Sequence, residues 1–333
     1  MINFFKKNKY LSFRLICIII LGAIFIKIKN SFSKQILVKK WKKYKLNPVL
    51  GNINTDTVFD PYIINDKDDL FKMYVSWRKY GTIAISISKD GINWSTLKTV
   101  LDKGKSGSWE NIVNRACILY KEGIYHMWYT GQNHGISKIG YAKSQDGFNY
   151  KKLGNPILVP EYIFEKKSVM SPNVIYDEEE KLYKMWYSAG ETFEPDVIAY
   201  ATSEDGINWK KYKNNPIFTR NKKPFSLDSF KVGVCDMHKI SNNKYLMFYI
   251  GYSDLYTARI FVAQSMDGIK NWKRSSNAII SPSKKGFDSH ACYKPSALYD
   301  KKNKRWMLWY NGRFKEKEFI GLATYNEYKI FKY

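Results

Sequence analysis

Five short phrases, apolar on both faces, recur along the chain: FKMYVS, HMWYTG, KMWYSAG, LMFYIG and MLWYNG, carrying Met73, Met127, Met185, Met247 and Met307. A run of this kind, bounded by turn residues, predicts a fully buried strand. Each is preceded by a strand opening on polar residues (FDPYII, NRACIL, MSPNVIY, VCDMHKI, YKPSALY). Each is followed by an alternating strand (IAISIS, KIGYAKS, VIAYATS, IFVAQS, FIGLATY). Four units continue into SKDGINW, SQDGFNY, SEDGINW and SMDGIKNW, whose Asp90, Asp146, Asp205 and Asp267 lie 56, 59 and 62 residues apart. Asp-Gly is a tight-turn dipeptide, because Gly supplies φ > 0 and Asp caps its own turn. A period of this length holds one four-stranded propeller blade. The pattern therefore predicts an all-β fold, a five-bladed β-propeller whose blades read inner, middle, third and outer strand. The Trp closing the Asp-Gly phrase is expected to be buried and to pin one blade against the next.

The fifth unit is incomplete. After Gly321–Thr324 comes YNEYKIFKY, with no Asp-Gly turn and no Trp, while WKKYKLNPVL, starting at Trp41, repeats the outer-strand sequence that follows Asp205-Gly206. A closed ring must join its ends, so the N-terminal strand is expected to complete the last blade. The rival reading makes EYKIFKY the outer strand and Trp41 the start of a linker.

Composition adds a membrane question and removes a nucleic-acid one. The formal charge is +25, but residues 1–45 hold 12 Lys or Arg and no acid, leaving about +13 spread among 30 acids. No basic helix or Lys/Arg block stands out there, so no nucleic-acid partner is expected; solvated surface lysine accounts for the excess. The apolar run Leu15–Ile26 follows a basic cluster and is short for a full span, yet no small-x-small cleavage site follows it. The chain divides into a basic segment (1–10), a signal-anchor or signal peptide (11–29), a linker (30–35) and a propeller domain (36–333). The expectation is an exported protein tethered by an uncleaved anchor, the alternative a secreted or periplasmic one after cleavage. Outside Cys17, the three cysteines show no metal-ligand spacing and suit small core positions.

With FDPYII at Asp60-Pro61, the MWY strands and the S-x-D-G-x-N-W turns, the chain resembles the five-bladed propeller glycoside hydrolases, the group holding families 43, 32, 62, 68, 117 and 130. The resemblance covers roughly residues 46–325. It implies an active site in a central funnel, lined by the first residues of the inner strands and rimmed by loops after the middle strands. It implies a glycosidase, with phosphorolysis as a variant, acting on an oligosaccharide or polysaccharide as a monomer. No cofactor is required; a calcium or other ion on the axis is compatible with the family.

By that resemblance Asp60 is the general base. Arg115 and Ser171 stand where family 43 has an Asp and a Glu, and Asp236 and Lys294 fill the last two inner positions. Two carboxyl groups are needed for glycoside cleavage, so Asp236, Glu110, Glu165 and Glu191 join Asp60 as catalytic candidates. Glu110, Glu165, Asp228 and Asp288 recur just before the inner strands, and Asp56 is their counterpart in the first unit; the competing reading makes them braces between blades. Arg115, Ser171, Lys294, His238, His290, Asp288, Arg78 and Arg313 are the substrate-binding candidates. Gln132, Asn133, His134, Glu194 and Asp254 also fall on the rim, and no metal ligands are assigned. Arg and Lys beside Asp60 suit an acidic or phosphorylated saccharide, or phosphate as acceptor. The alternative is a non-catalytic carbohydrate-binding propeller or scaffold in envelope polysaccharide metabolism.

Overall fold

The computed structural model describes residues 41–52, 56–65 and 70–331, and the described residues up to 330 form one compact unit. The segments expected at 1–10, 11–29 and 30–35 lie outside the described residues. Among the described residues no helix is long and apolar enough to cross a membrane. Their regular structure is β apart from one 3-10 turn at Ile163–Glu165.

A short strand, β1 (Lys42–Lys43), precedes five antiparallel meanders. The first comprises β2 (Val58–Asn65), β3 (Phe71–Trp77), β4 (Thr82–Ser88) and β5 (Lys98–Leu101). The second holds β6 (Ile112–Lys121), β7 (Ile124–Asn133), β8 (Ile136–Ser144) and β9 (Lys151–Lys152). The third is β10 (Ser168–Asp177), β11 (Leu182–Gly190), β12 (Pro195–Ser203) and β13 (Lys210–Lys211). The fourth is β14 (Lys231–Ser241), β15 (Lys244–Tyr252), β16 (Ala258–Ser265) and β17 (Lys273–Arg274). The fifth has only β18 (Ala291–Asp300), β19 (Arg305–Phe314) and β20 (Lys317–Tyr325) of its own. A parallel bridge between Ser137 and Ser168 links the second and third meanders into one eight-stranded sheet. The first strands β2, β6, β10, β14 and β18 pack against one another in that order, and β18 packs back on β2.

β1 supplies the fourth strand of the fifth meander. Lys42 pairs with Thr324 and Lys43 with Ala323 of β20. Trp41 is buried, stacked on Tyr325 and edge-on to Phe248, each at 5.6 Å between ring centroids. Residues 326–331 form no strand, so the half-repeat at Trp41 is the outer strand, not a linker.

The Asp-Gly turns carry out their expected local work. Asp90 Oδ1 accepts the amides of Ile92 and Asn93 at 2.8 Å, and the same pattern recurs at Asp146, Asp205 and Asp267. The pin between meanders is a different aromatic residue from the one expected. The Trp after the turn is only half-buried at Trp94, Trp209 and Trp272. Instead, a residue of the second strand reaches across to the next turn. Trp128 Nε1 donates to Gly206 O, Trp186 Nε1 to Gly268 O, Trp309 Nε1 to Gly91 O, and Tyr74 Oη to Gly147 O, at 2.7, 2.7, 2.9 and 3.0 Å. The fifth meander has no Asp-Gly turn, and its counterpart Phe248 has no donor. That joint is filled by Trp41 instead.

Candidate functional site

The site is built on a repeated backbone distortion. In each first strand the pairing register slips, and a non-glycine residue there takes a positive φ: Asp60 (55°), Arg115 (54°), Ser171 (50°), Val234 (40°) and Lys294 (36°). Such a conformation costs on the order of 1 kcal/mol or more per residue and persists only where the surroundings impose it. At three of the five positions the neighbouring meander contributes a side-chain acceptor. The amides of Arg115, Ser171 and Val234 donate to Ser76 Oγ, Thr130 Oγ1 and Ser188 Oγ at 3.0, 2.9 and 2.7 Å.

Three of these five positions, Asp60, Arg115 and Val234, open into a cavity of about 270 Å³. Ser76 Oγ donates to Asp60 Oδ2 at 3.2 Å, and Arg115 Nε lies 3.7 Å from the same oxygen. Arg78 enters from the β3–β4 connection and Arg313 from the end of β19. The Arg78 guanidinium stacks over Phe59 at 4.4 Å and pairs with Glu318; that of Arg313 lies 5.3 Å from the Tyr293 ring centre. Glu194, on the β11–β12 loop, accepts the Tyr252 hydroxyl on Oε2. Asn311 is buried in the cavity wall, and its Oδ1 has no hydrogen-bond partner.

Burial controls the charge balance. It raises the pKa of Glu194 above the usual carboxyl range, against the opposing pull of the Tyr252 hydroxyl, Lys231, Arg115 and Arg313. Burial also raises Glu318, with Arg78 opposing. Three guanidiniums thus share the cavity with Asp60 and with two carboxyls whose pKa burial raises. Lys294 is buried just behind, its pKa lowered by desolvation with the Asp60 charge opposing. Among the described residues no three His, Cys, Asp or Glu side chains converge as metal ligands.

The remaining sequence candidates lie elsewhere. Asp236, read as the fourth inner position, sits two residues beyond Val234. It accepts the Ala297 amide at 2.6 Å, the Asn173 amide group at 3.2 Å and a His238 contact at 3.0 Å. His238 is enclosed by Phe248 and Trp306, and exposed His290 accepts the Lys315 amide. Glu191 is exposed and pairs with Lys166. Ser171 is buried.

The acids preceding the first strands form one repeated brace. Glu110, Glu165, Asp228 and Asp288 each accept a tyrosine hydroxyl, from Tyr129, Tyr187, Tyr249 and Tyr310, at 2.6 to 2.9 Å. Each also meets a cation of the outermost strand: Lys152, Lys211, Arg274 and Lys43. Asp56 departs from this pattern and pairs with Lys79. Two cavity acids were given no catalytic role from sequence. Glu194 is on the predicted rim but indistinguishable there from other polar residues, and Glu318 follows a lysine-rich turn that carries no signal.

Comparison with known proteins decides the family. The model of glycosyl hydrolases family 43 matches residues 46–223, more than half the chain. The chain belongs to this family. Among curated relatives, a 1,2-beta-oligomannan phosphorylase of Thermoanaerobacter sp. (strain X514) is 29% identical over 53% of this chain and 56% of its own length. A beta-1,2-mannobiose phosphorylase of the same organism is 27% identical over 48% and 55%. The chain thus spans about half the length of these relatives. An uncharacterized protein, Rv1502 of Mycobacterium tuberculosis, is 26% identical over 77% and 88%. Among solved structures, a glycoside hydrolase superposes with a TM-score of 0.68 at 20% identity, covering 90% of this chain and 94% of the other. One from work on the GH130 family of mannoside phosphorylases, including glycoside hydrolases that target beta-1,2 mannosidic linkages in Candida mannan, gives 0.65 at 18%, covering 89% and 98%. These structures share the fold of this chain.

Proposed function

We propose that this family-43 chain is a closed five-bladed propeller that cleaves β-mannosides in its central cavity, using phosphate as the acceptor. The carrying observation is the convergence of Arg78, Arg115 and Arg313 on a cavity that also holds Asp60 and a Glu194 with a raised pKa. Three guanidiniums suit a phosphate dianion, and two relatives named above are a 1,2-beta-oligomannan phosphorylase and a beta-1,2-mannobiose phosphorylase. The unpartnered Asn311 Oδ1 supports a polyol ligand, since a sugar hydroxyl supplies the missing donor.

In this reading Glu194 Oε1 carries the proton while Oε2 is held by Tyr252. A phosphate oxygen attacks the anomeric carbon, the glycosidic bond breaks, and Glu194 passes its proton to the leaving oxygen. The products are a mannosyl phosphate and a shortened saccharide. Asp60, fixed by Ser76 and facing Arg115, stabilises the positive charge that develops on the sugar ring. The test is Arg115→Ala: the KM for phosphate should rise by about 10-fold or more, with a smaller effect on the KM for β-1,2-mannobiose. Equal effects on both would remove the phosphate role.

The sequence also supports export and tethering by residues 11–29. Cell fractionation tests this: recovery in the soluble fraction with intact residues 1–40 would contradict the tether.

A further inference from the structure

Phe193 is the one strongly exposed aromatic side chain among the cavity-lining residues, with 79% of its surface open to solvent. Its loop is not slack. Lys166 Nζ bridges Glu191 and Asp196, on either side of Phe193, at 2.8 and 2.7 Å. Ser168 Oγ meets Thr192 Oγ1 at 2.6 Å, and Thr192 also bonds to the Gly135 carbonyl. Lys231 Nζ donates to the Glu194 carbonyl at 3.1 Å. The five bonds fix the residues around Phe193 and leave its ring projecting at the cavity mouth. Ile112, also exposed, lines the same cavity.

The cavity is therefore polar inside and apolar at its lip. Its volume of about 270 Å³ falls just below the ~300–1,000 Å³ of pockets that enclose drug-sized ligands, so it can enclose one sugar ring but not a whole oligosaccharide. With one ring enclosed, the next ring of a longer saccharide reaches the lip. There an aromatic face held in place at little entropic cost suits the C–H face of a pyranose, while the hydroxyls stay in water.

We propose that Phe193 is a specificity-determining residue, the platform for the second sugar of a mannoside whose first sugar occupies the cavity. This rests on the mannoside reading above. Its adjacency to Glu194 places the platform next to the group that protonates the bond between the two sugars. Phe193 thereby selects disaccharides and longer chains over monosaccharides.

The experiment is calorimetric titration of the wild-type protein, Phe193→Ala and Phe193→Tyr with mannose, β-1,2-mannobiose and β-1,2-mannotriose, each variant checked by thermal melting. The expected result is tighter wild-type binding of the biose and triose than of mannose. Phe193→Ala should weaken biose and triose binding by about 10-fold and leave mannose within about twofold, and Phe193→Tyr should restore the preference. Unchanged biose affinity in Phe193→Ala, or an equal loss for mannose and biose, overturns the platform while leaving the mannoside reading standing. Wild-type protein that binds none of the three sugars overturns both.

Discussion

Lys43 Nζ lies 2.5 Å from Asp288 Oδ2, across 245 residues of chain, in the position that Lys152, Lys211 and Arg274 occupy against Glu110, Glu165 and Asp228. A residue at the start of the domain thus completes a brace in its last meander. Lys43→Ala would leave the buried Asp288 carboxylate with the Tyr310 hydroxyl but no cation. The expected loss is about 2 kcal/mol, read from urea unfolding. Unchanged stability would mean that the N-terminal strand does not hold the last meander shut.

Glu194 and Tyr252 set the expected pH profile of catalysis. The acid works only while protonated, and burial raises its pKa, so kcat should fall as pH rises through that raised value. The Tyr252 hydroxyl favours the carboxylate. Tyr252→Phe should therefore move the basic limb of the kcat profile to higher pH, and a shift to lower pH would contradict the assignment. Glu194→Gln should lower kcat by roughly 10²–10⁴-fold.

The Asp-Gly turns predict a stability limit in acid. Burial acts to raise the pKa of Asp90 and Asp205, but the amides of the following residues outweigh it and bring both to about 2. A carboxylate depressed in the folded state adds stability that is complete above its unfolded value, about 4. That stability is lost as pH falls toward 2. Melting temperature should drop over this window, and Asp90→Asn should drop less steeply than wild type. Parallel curves would show that these turns do not couple folding to protons.

Repetition made the architecture readable. The Asp-Gly turns, the buried Met-aromatic-Tyr phrases and the displaced WKKYK string each occur often enough to be compared with their copies. The braces were legible only in part. The recurrence of the acids pointed to bracing between blades, but each acid meets a tyrosine and an outer-strand cation of its own meander, and those partners carried no signal. The site was less legible. The backbone slip in β14 falls at Val234, and nothing in VCDMHKI distinguishes that register from one that places Asp236 there. Glu194, Phe193 and Glu318 are set by a single loop and one strand start, without a repeated partner to mark them. Asp60 and Arg115 stand on the repeated slip and were legible, whereas the rest of the candidate site lies off the repeat, where pattern reading weakens.

The most direct test is product analysis. Purified protein is incubated with β-1,2-mannobiose, with and without inorganic phosphate, beside Asp60→Asn and Glu194→Gln. Mannose 1-phosphate and free mannose should form in equal amounts with the wild-type protein only when phosphate is present, and each variant should lose at least about 100-fold of that rate. Release of mannose alone, independent of phosphate, would replace phosphorolysis by hydrolysis. Intact mannobiose under both conditions, or full activity in both variants, would contradict the catalytic account.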